Sequence, residues 1–322
     1  MGTDLFQVVN LTDGGGHIMT KYIADLVSVI IPTYHRAEKL NRAVDSVLGQ
    51  TYKNLECIVV NDNIPNDEYS KIVYELIKKY GDDPRFLFVE QEKHINGAEA
   101  RNCGIRKAKG EFIAFLDDDD WWKPEKLERL VHFIRRQPPA CGGVSTLVEF
   151  HSNGEAVRWT KPYQDGKIYL QILRRDVDVI TSSVLLRHDA LDDAGYFDNS
   201  LNRHQELQLL SYFTYKYEIK LLPEYLTCND YDSKENRPNS EQLILIKRKF
   251  FDSVEPIMNT LSRAQKRSVL AVHDLEIASV EYREKKYAKA FLKGMKVLFS
   301  PSFFMIFRYI RRRNQAFQKP VK

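Results

Sequence analysis

The stretch GEFIAFLDDDDWW, residues 110–122, leads an apolar segment directly into four consecutive aspartates. An apolar run of this length is typical of a buried β-strand. Adjacent carboxylates repel one another strongly unless a cation neutralises them, and Mg²⁺ or Mn²⁺ suits a site that combines one or two carboxylates with substrate phosphate oxygens. The stretch therefore predicts a strand that ends in a divalent-metal site. The alternative is a solvated acidic turn that caps the next helix, but a cap needs one aspartate rather than four.

Strand and helix patterns alternate upstream of this stretch. Apolar runs predict strands at residues 27–31, 55–60 and 85–89, and apolar residues at helical spacing predict the helices between them. This order implies right-handed crossovers and a mostly parallel sheet, whose ligands bind beyond the carboxyl ends of the strands. Tyr34 and Asp62 follow the first two strands, so we expect both side chains to lie near the aspartates.

Sequence patterns divide the chain into four parts. Residues 1–25 form an N-terminal extension without clear periodicity, and we assign it no role. Residues 26–137 contain the alternating pattern. Residues 138–239 begin at a proline pair and mix helix with predicted strands, one of them at residues 177–187. Residues 240–322 have a helical pattern. The sequence thus predicts an α/β protein of two unlike halves with a helical C-terminal region.

The cysteines and the absence of targeting signals predict the cellular compartment. The four cysteines lie far apart without paired spacing, which is typical of a reduced protein. The N-terminus does not follow a secretory-signal pattern, and no apolar run has the length needed to span a bilayer. We therefore expect a cytoplasmic protein.

Positive charge is concentrated at the end of the chain. Eleven lysines and arginines, and no acidic residue, follow Glu284. This asymmetry argues against nucleic acid as a partner for the body of the chain. Residues 285–313 add aromatic and aliphatic side chains, a combination that suits the interface of an anionic membrane. We expect peripheral contact with the inner face of the membrane. The alternative is a helical hairpin that packs on the rest of the chain or on another subunit of a homo-oligomer.

Two longer stretches carry a family resemblance. They read VSVIIPTYHRAEKLNRAVDSVLGQTYKNLECIVVND at residues 27–62 and NGAEARNCGIRKAKGEFIAFLDDDDWWKPEKLE at residues 96–128. Together they resemble the donor-binding half of family 2 glycosyltransferases with the GT-A fold. The resemblance implies a mostly parallel sheet flanked by helices. It assigns nucleotide-sugar binding to residues 26–137 and acceptor binding to residues 138–239.

The same resemblance implies a reaction. Family members transfer a sugar from a nucleotide-diphosphate donor with inversion and hold a divalent metal, Mn²⁺ or Mg²⁺, by an Asp-x-Asp motif. It implies a saccharide acceptor, lipid-linked and used in bacterial surface-polysaccharide synthesis.

Individual donor-site roles also follow from the resemblance. Asp119 matches the direct metal ligand and Asp117 the other end of the motif, while Asp117 and Asp118 would approach the ribose or metal-bound waters. Tyr34 matches the ring that stacks on the nucleotide base. Asp62 matches the carboxylate that accepts the base N3–H, which suits uracil or thymine and not adenine. The remaining donor-site positions are Pro32 and Arg101.

The acceptor side is expected in the second half. Residues 203–209, RHQELQL, resemble the family segment whose acidic residue, usually aspartate, heads a helix beside the acceptor. Glu206 stands there and would remove the proton of the acceptor hydroxyl, with His204 as the second choice. Trp122 has a flat ring that suits a sugar face, or it forms the hydrophobic floor under the metal loop.

Two other functional classes make different demands on the sequence. A catalytically silent nucleotide- or sugar-binding module of the same fold would tolerate the departures from the family pattern at Asn61 and Glu206. A nucleotidyltransferase would need a glycine-rich phosphate loop followed by lysine, and none follows the first predicted strand.

Overall fold

Nine strands form a single mixed sheet in the part of the chain that the structure describes. The structure is a computed structural model and describes residues 21–231 and 238–298. In chain order the strands are β1 (Ile23–Thr33), β2 (Leu55–Asn61), β3 (Phe86–Glu90), β4 (Gly110–Phe115), β5 (Trp121–Trp122), β6 (Cys141–Ser152), β7 (Glu155–Trp159), β8 (Val184–Arg187) and β9 (Glu218–Asp230). Their spatial order is β3-β2-β1-β4-β8-β6-β9-β5, and β7 pairs with β6.

The first four strands form the alternating half that the sequence predicts. β1 pairs in parallel with β2 and β4, and β2 pairs in parallel with β3. The helices of this half are α1 (Ala37–Leu48), α2 (Glu68–Ile77), α3 (Gly97–Lys107) and α4 (Lys126–Arg135). Because the strands are parallel, their carboxyl ends meet at one edge, and Tyr34, Asp62 and the aspartates follow these ends.

The second half continues the same sheet with mixed strand directions. β8 is antiparallel to β4 and β6, whereas β6 is parallel to β9. β5 is antiparallel to β9, and β7 forms an antiparallel hairpin with β6. The strand predicted at residues 177–187 is shorter than expected. A single 3₁₀ turn at Thr181–Ser183 replaces its middle part, because Ser182 there bonds to the acidic loop instead of to a neighbouring strand.

The remaining helices lie in the second half and the C-terminal region. They are α5 (Tyr169–Leu173), α6 (His188–Ala194), α7 (Gln205–Lys216), α8 (Ser240–Ser253), α9 (Glu255–Thr260), α10 (Arg263–Arg283) and α11 (Tyr287–Leu298). The helical pattern predicted after residue 240 is confirmed as far as residue 298. Most of the N-terminal extension, residues 1–20, and residues 299–322 lie outside the described residues.

Alternate residues of the central strands face two separate hydrophobic clusters. Val29 and Ile31 of β1 pack with α1 and α4 on one side of the sheet. Ile30 packs on the other side, in a cluster that includes α3, α7 and Phe250 of α8. Burial on both faces explains why β1 reads as a continuous apolar run rather than an alternating one.

Substitution of Gly104 tests the packing of α3 against β1. A methyl group at Gly104 on α3 would lie 2.4 Å from Cγ2 of Ile30, so Gly104→Ala should lower the free energy of unfolding by about 1–3 kcal/mol through overpacking. Gly294 on α11 has no atom within 4 Å of an added methyl group, so Gly294→Ala should raise it by about 0.5–1 kcal/mol. Urea denaturation measures both values. Equal effects at the two positions would contradict the close contact between α3 and β1.

Candidate active site

The four aspartates lie in the loop between β4 and β5, and Asp120 is fully buried. Its carboxylate accepts hydrogen bonds from the Ser182 hydroxyl at 2.6 Å, the Asn229 side-chain amide at 2.8 Å and the Asp230 backbone N–H at 3.2 Å. Burial raises the pKa of Asp120 well above its ordinary value, and the neighbouring aspartate charges add to the shift. Asp120 therefore ties the acidic loop to the second half of the sheet.

Asp118 and Asp119 lie beside Arg36. Asp118 is buried and accepts a hydrogen bond from the Thr33 hydroxyl at 2.9 Å. Burial raises the pKa of Asp118 to about 7, although the Arg36 charge opposes the shift. The Arg36 guanidinium forms an ion pair with Asp119, and its Nε lies 3.8 Å from Oδ1 of Asp118. Arg36 thus brings positive charge into the acidic loop.

Asp117 pairs with Arg101. Arg101 forms an ion pair with Asp117 and also donates to the Gly97 carbonyl at 3.0 Å. Burial favours the neutral guanidinium, but the charges of Asp117, Glu206 and Asp118 outweigh it and raise the pKa of Arg101. Arg101 therefore interacts with both the acidic loop and the first turn of α7.

Asp117, Asp119 and Asp120 offer oxygen atoms that all lie within 4.8 Å of one another. Asp120 already accepts three hydrogen bonds, whereas Asp117 and Asp119 each pair with an arginine. Two carboxylates completed by phosphate oxygens fit Mg²⁺ or Mn²⁺. Charge repulsion alone does not require the metal, however, because Arg36 and Arg101 already balance these carboxylates. Crowding of the aspartates is therefore not by itself a sign of a bound metal.

Tyr34 and Asp62 come together at the ends of β1 and β2. Asp62 is buried, and its Oδ1 accepts a hydrogen bond from the Gln91 side chain at 2.7 Å. Its Oδ2 lies 3.0 Å from Nδ1 of His94. The Tyr34 ring stacks between two imidazoles, with centroid distances of 3.8 Å to His35 and 4.0 Å to His94. Burial raises the pKa of Asp62, while His94 opposes the shift.

Trp122 forms the floor of the acidic loop. Its ring is only 3% exposed, and its Nε1 donates to the Ser182 carbonyl at 2.8 Å. The fully buried Lys126 lies 3.6 Å from the ring centre, donates to the same carbonyl at 2.8 Å, and has a pKa that burial lowers well below its ordinary value. This burial contradicts the expected acceptor contact through Trp122, because neither face of its ring is available to a sugar.

His204 and Glu206 differ in their surroundings although they are close in sequence. His204 precedes α7 in a left-handed conformation with φ of 64°, and its ring packs against Phe250 of α8. Burial lowers the pKa of His204 to about 2. Its charged neighbours, Lys247 among them, belong to other parts of the core and not to the acidic loop. The structure thus contradicts an acceptor role for His204, whereas Glu206 interacts with Arg101.

Two basic residues of α1, Lys39 and Arg42, also contact the site, and the sequence analysis did not identify them. Lys39 Nζ lies 3.0 Å from the carboxylate of Asp230, and Arg42 donates to that carboxylate at 3.2 Å and to the Asp119 carbonyl at 2.7 Å. Arg36, Lys39 and Arg42 are spaced three residues apart. Arg36 directly precedes α1, and the spacing places Lys39 and Arg42 on the same face of the helix. That spacing, directly after a strand that ends at the site, was the available signal.

Comparison with known proteins identifies the family. The family model described as glycosyl transferase family 2 matches residues 28–195, more than half of the chain. The protein belongs to glycosyl transferase family 2. An Escherichia coli relative, UDP-Glc:alpha-D-GlcNAc-diphosphoundecaprenol beta-1,3-glucosyltransferase WfaP, is 36% identical over 113 residues, which is 35% of this chain and 43% of that protein. An uncharacterised Methanocaldococcus jannaschii glycosyltransferase is 27% identical over 66% of this chain and 72% of its own length. This family 2 chain thus matches less than half the length of WfaP.

Solved structures of other glycosyltransferases share the fold. Residues 1–349 of Staphylococcus aureus TarS in complex with UDP-GlcNAc match with a TM-score of 0.57 and 16% identity, over 90% of each chain. The mannosyltransferase PcManGT from Pyrobaculum calidifontis, in complex with GDP-Man and Mn²⁺, matches with a TM-score of 0.54 and 16% identity, over 91% of this chain and 87% of that one. The likeness confirms the predicted GT-A fold of this family 2 protein.

A second group of possible metal ligands lies on β6 and β9 of the family 2 protein. Ligand atoms of Glu149, His151 and Cys228 lie within 4.8 Å of one another. Glu149 forms an ion pair with Lys123 at 3.2 Å, and burial raises the pKa of Cys228 to about 12, which keeps the thiol protonated. The charges of this group are balanced without a cation, and we assign no metal to it.

Proposed function

We propose that this protein transfers a sugar from a UDP- or dTDP-sugar to a hydroxyl of a saccharide acceptor, with inversion and with a divalent metal. One observation carries the proposal. The Tyr34–Asp62 pair and the acidic loop lie at the same edge of the sheet, and Arg101 pairs with Asp117 of that loop while the charge of Glu206 also raises its pKa. Donor, metal and base functions would therefore act within one site.

Asp62 supports a choice of nucleobase. A buried carboxylate selects a base that directs a ring N–H toward it, and uracil and thymine carry an N3–H whereas adenine has no ring N–H. TarS is described in complex with UDP-GlcNAc, WfaP is named for UDP-Glc, and PcManGT is described with GDP-Man. The fold thus accepts more than one base, and UDP, GDP and ADP form the informative comparison.

Asp119 and Asp117 are the residues that would hold Mn²⁺ or Mg²⁺. When bound there, the ion would neutralise the negative charge that develops on the leaving nucleoside diphosphate. Arg36 and Arg101 contact the same two carboxylates. We therefore place both guanidinium groups beside the diphosphate, where they add fixed positive charge to the site.

Glu206 is the proposed general base. An inverting displacement needs a base on the face of the sugar opposite the leaving diphosphate. Glu206 lies in the first turn of α7, and its charge, together with that of Asp117, raises the pKa of Arg101. Its side chain is one methylene longer than that of aspartate, so its carboxylate reaches farther from the helix.

We propose a lipid-linked saccharide acceptor and peripheral contact with the inner face of the membrane. WfaP is named for a diphosphoundecaprenol-linked substrate. On α11, Phe291 is 66% and Leu292 64% exposed, and Lys289 is exposed nearby. Within the described residues, no helix combines the length and hydropathy that a membrane span requires. Residues 299–313 of the proposed membrane segment lie outside the described residues.

The metal prediction concerns Asp119. Asp119→Asn should abolish sugar transfer and leave the fold intact, because it removes a charge and keeps the side-chain size. Nucleotide release from a UDP-sugar with Mn²⁺ measures the effect, and EDTA should abolish release by the unaltered protein. Asp193→Asn, an exposed aspartate paired with Lys216, is the control and should keep full activity. Full activity of the Asp119 variant, or of the protein in EDTA, would contradict metal-dependent transfer.

The base prediction concerns Glu206. Glu206→Gln should lower turnover by a factor of about 10² or more because the amide cannot accept the proton, while calorimetry should show unchanged UDP binding. Glu255, in the first turn of α9, provides a matched control, since Glu255→Gln changes the same chemistry away from the site. Unchanged turnover in the Glu206 variant would assign the base elsewhere. Absence of transfer by the unaltered protein with every donor would favour a catalytically silent module.

The membrane prediction concerns the exposed apolar residues of α11. The double substitution Phe291→Ser with Leu292→Ser should reduce co-sedimentation with anionic vesicles several-fold, because it removes apolar groups from the interface and leaves the lysines in place. The control replaces Leu245 and Leu270, which are also exposed, with serine. Equal binding of both variants and the unaltered protein would remove α11 from the membrane contact.

A further inference from the structure

Four aromatic rings form a continuous stack at the proposed nucleobase site. Tyr69 stacks on His35 at a centroid distance of 3.8 Å, His35 on Tyr34 at 3.8 Å, and Tyr34 on His94 at 4.0 Å. The planes of neighbouring rings are within 22° of parallel. Both faces of the Tyr34 ring are therefore covered by imidazoles.

His94 differs from His35 because it also contacts Asp62. Its Nδ1 lies 3.0 Å from the Asp62 carboxylate and 3.0 Å from the Asp62 backbone carbonyl. Asp62 is 1% exposed, so few directions of approach remain open to its carboxylate. The His94 imidazole thus makes two contacts, one with the face of the Tyr34 ring and one with the Asp62 carboxylate.

A uracil base would make the same two contacts. It would lay its ring on Tyr34 and direct its N3–H to Asp62. The imidazole of His94 is likewise a flat ring with a nitrogen directed at this carboxylate. The base and the imidazole cannot occupy this position together.

The segment that carries His94 is fixed at its ends. Gln91 donates its backbone N–H to the Asn61 carbonyl at 3.1 Å and its side-chain N–H to Asp62 at 2.7 Å. At the other end, the Asn96 side chain accepts hydrogen bonds from the first turn of α3. His94 lies between these anchors and is 34% exposed, so its ring has solvent on one side into which it can rotate.

We propose that His94 is a built-in competitor for the nucleobase, which must leave Tyr34 and Asp62 before the donor binds and thereby sets the donor affinity. The inference rests on the proposed function, because it assumes that Tyr34 and Asp62 form the base site. Its quantitative form is simple. The apparent dissociation constant of the donor equals the intrinsic one divided by the fraction of molecules in which His94 has moved away.

The experiment compares UDP binding to the unaltered protein, His94→Ala and His132→Ala by calorimetry with Mg²⁺. His94→Ala should bind UDP more tightly by about 3–10-fold, because every molecule is then competent. His132 is exposed on α4 and lies outside the aromatic stack, so His132→Ala is the control. It removes an imidazole without changing the proposed base site and should leave UDP affinity unchanged.

A second measurement uses the unaltered protein. The ring protons of His94, assigned by comparison with the His94→Ala spectrum, should change chemical shift when UDP is added, because the ring leaves Tyr34. Unchanged or weaker UDP binding by His94→Ala, together with unshifted His94 resonances, would overturn the inference and indicate that the base binds without displacing the imidazole. If the unaltered protein binds UDP no better than ADP, and Asp62→Ala has no effect, the proposed base site itself is wrong. The two failures are therefore distinguishable.

Discussion

The hydrogen bonds of Ser182 tie the acidic loop and the residues beneath it to the second half of the sheet, and the geometry of the site depends on them. The Ser182 hydroxyl donates to Asp120, and its carbonyl accepts from both Trp122 and Lys126. All four residues are buried, and an unpaired buried polar group costs about 1–3 kcal/mol. The loop therefore has little freedom to move without the 3₁₀ turn that carries Ser182.

Charge balance is the second constraint on the site. Buried carboxylates would favour the protonated form, yet Arg36 stays close to Asp118 and Asp119, and Arg101 to Asp117. These arginines come from different elements, one just before α1 and one on α3. The first half of the sheet thus supplies the arginines that pair with the acidic loop, while the second half supplies the hydrogen bonds to Asp120. In the proposed reaction, the donor diphosphate would meet cationic groups that are already in position.

The C-terminal helices belong to the same core as the site. Phe250 packs in the cluster beneath α7, and Nε2 of His273 on α10 donates a hydrogen bond to the Leu173 carbonyl of α5 at 2.9 Å. Lys247 forms an ion pair with Glu276, and its Nζ lies 2.7 Å from the His273 ring. This buried network supports the helix that carries Glu206. The C-terminal region is therefore part of what orients the proposed base.

Local pattern in the sequence determined the strands, the helices and the position of the acidic loop. The apolar run of β1 and the polar residues after each strand were sufficient to predict that Tyr34, Asp62 and the aspartates share one edge, because the carboxyl ends of parallel strands must meet there. Only the tertiary structure decided what surrounds the side chains of Trp122, His204 and Tyr34. From the sequence, a tryptophan beside the aspartates could equally contact a sugar or pack beneath the acidic loop. The contact with Ser182, which is distant in sequence, buries it beneath the loop. His204 turns away from the site because a left-handed residue directs its ring toward α8, and His94 covers Tyr34 because a segment after β3 folds back onto β2. Each of these outcomes depends on contacts between residues far apart in the chain, which hydrophobic periodicity does not encode.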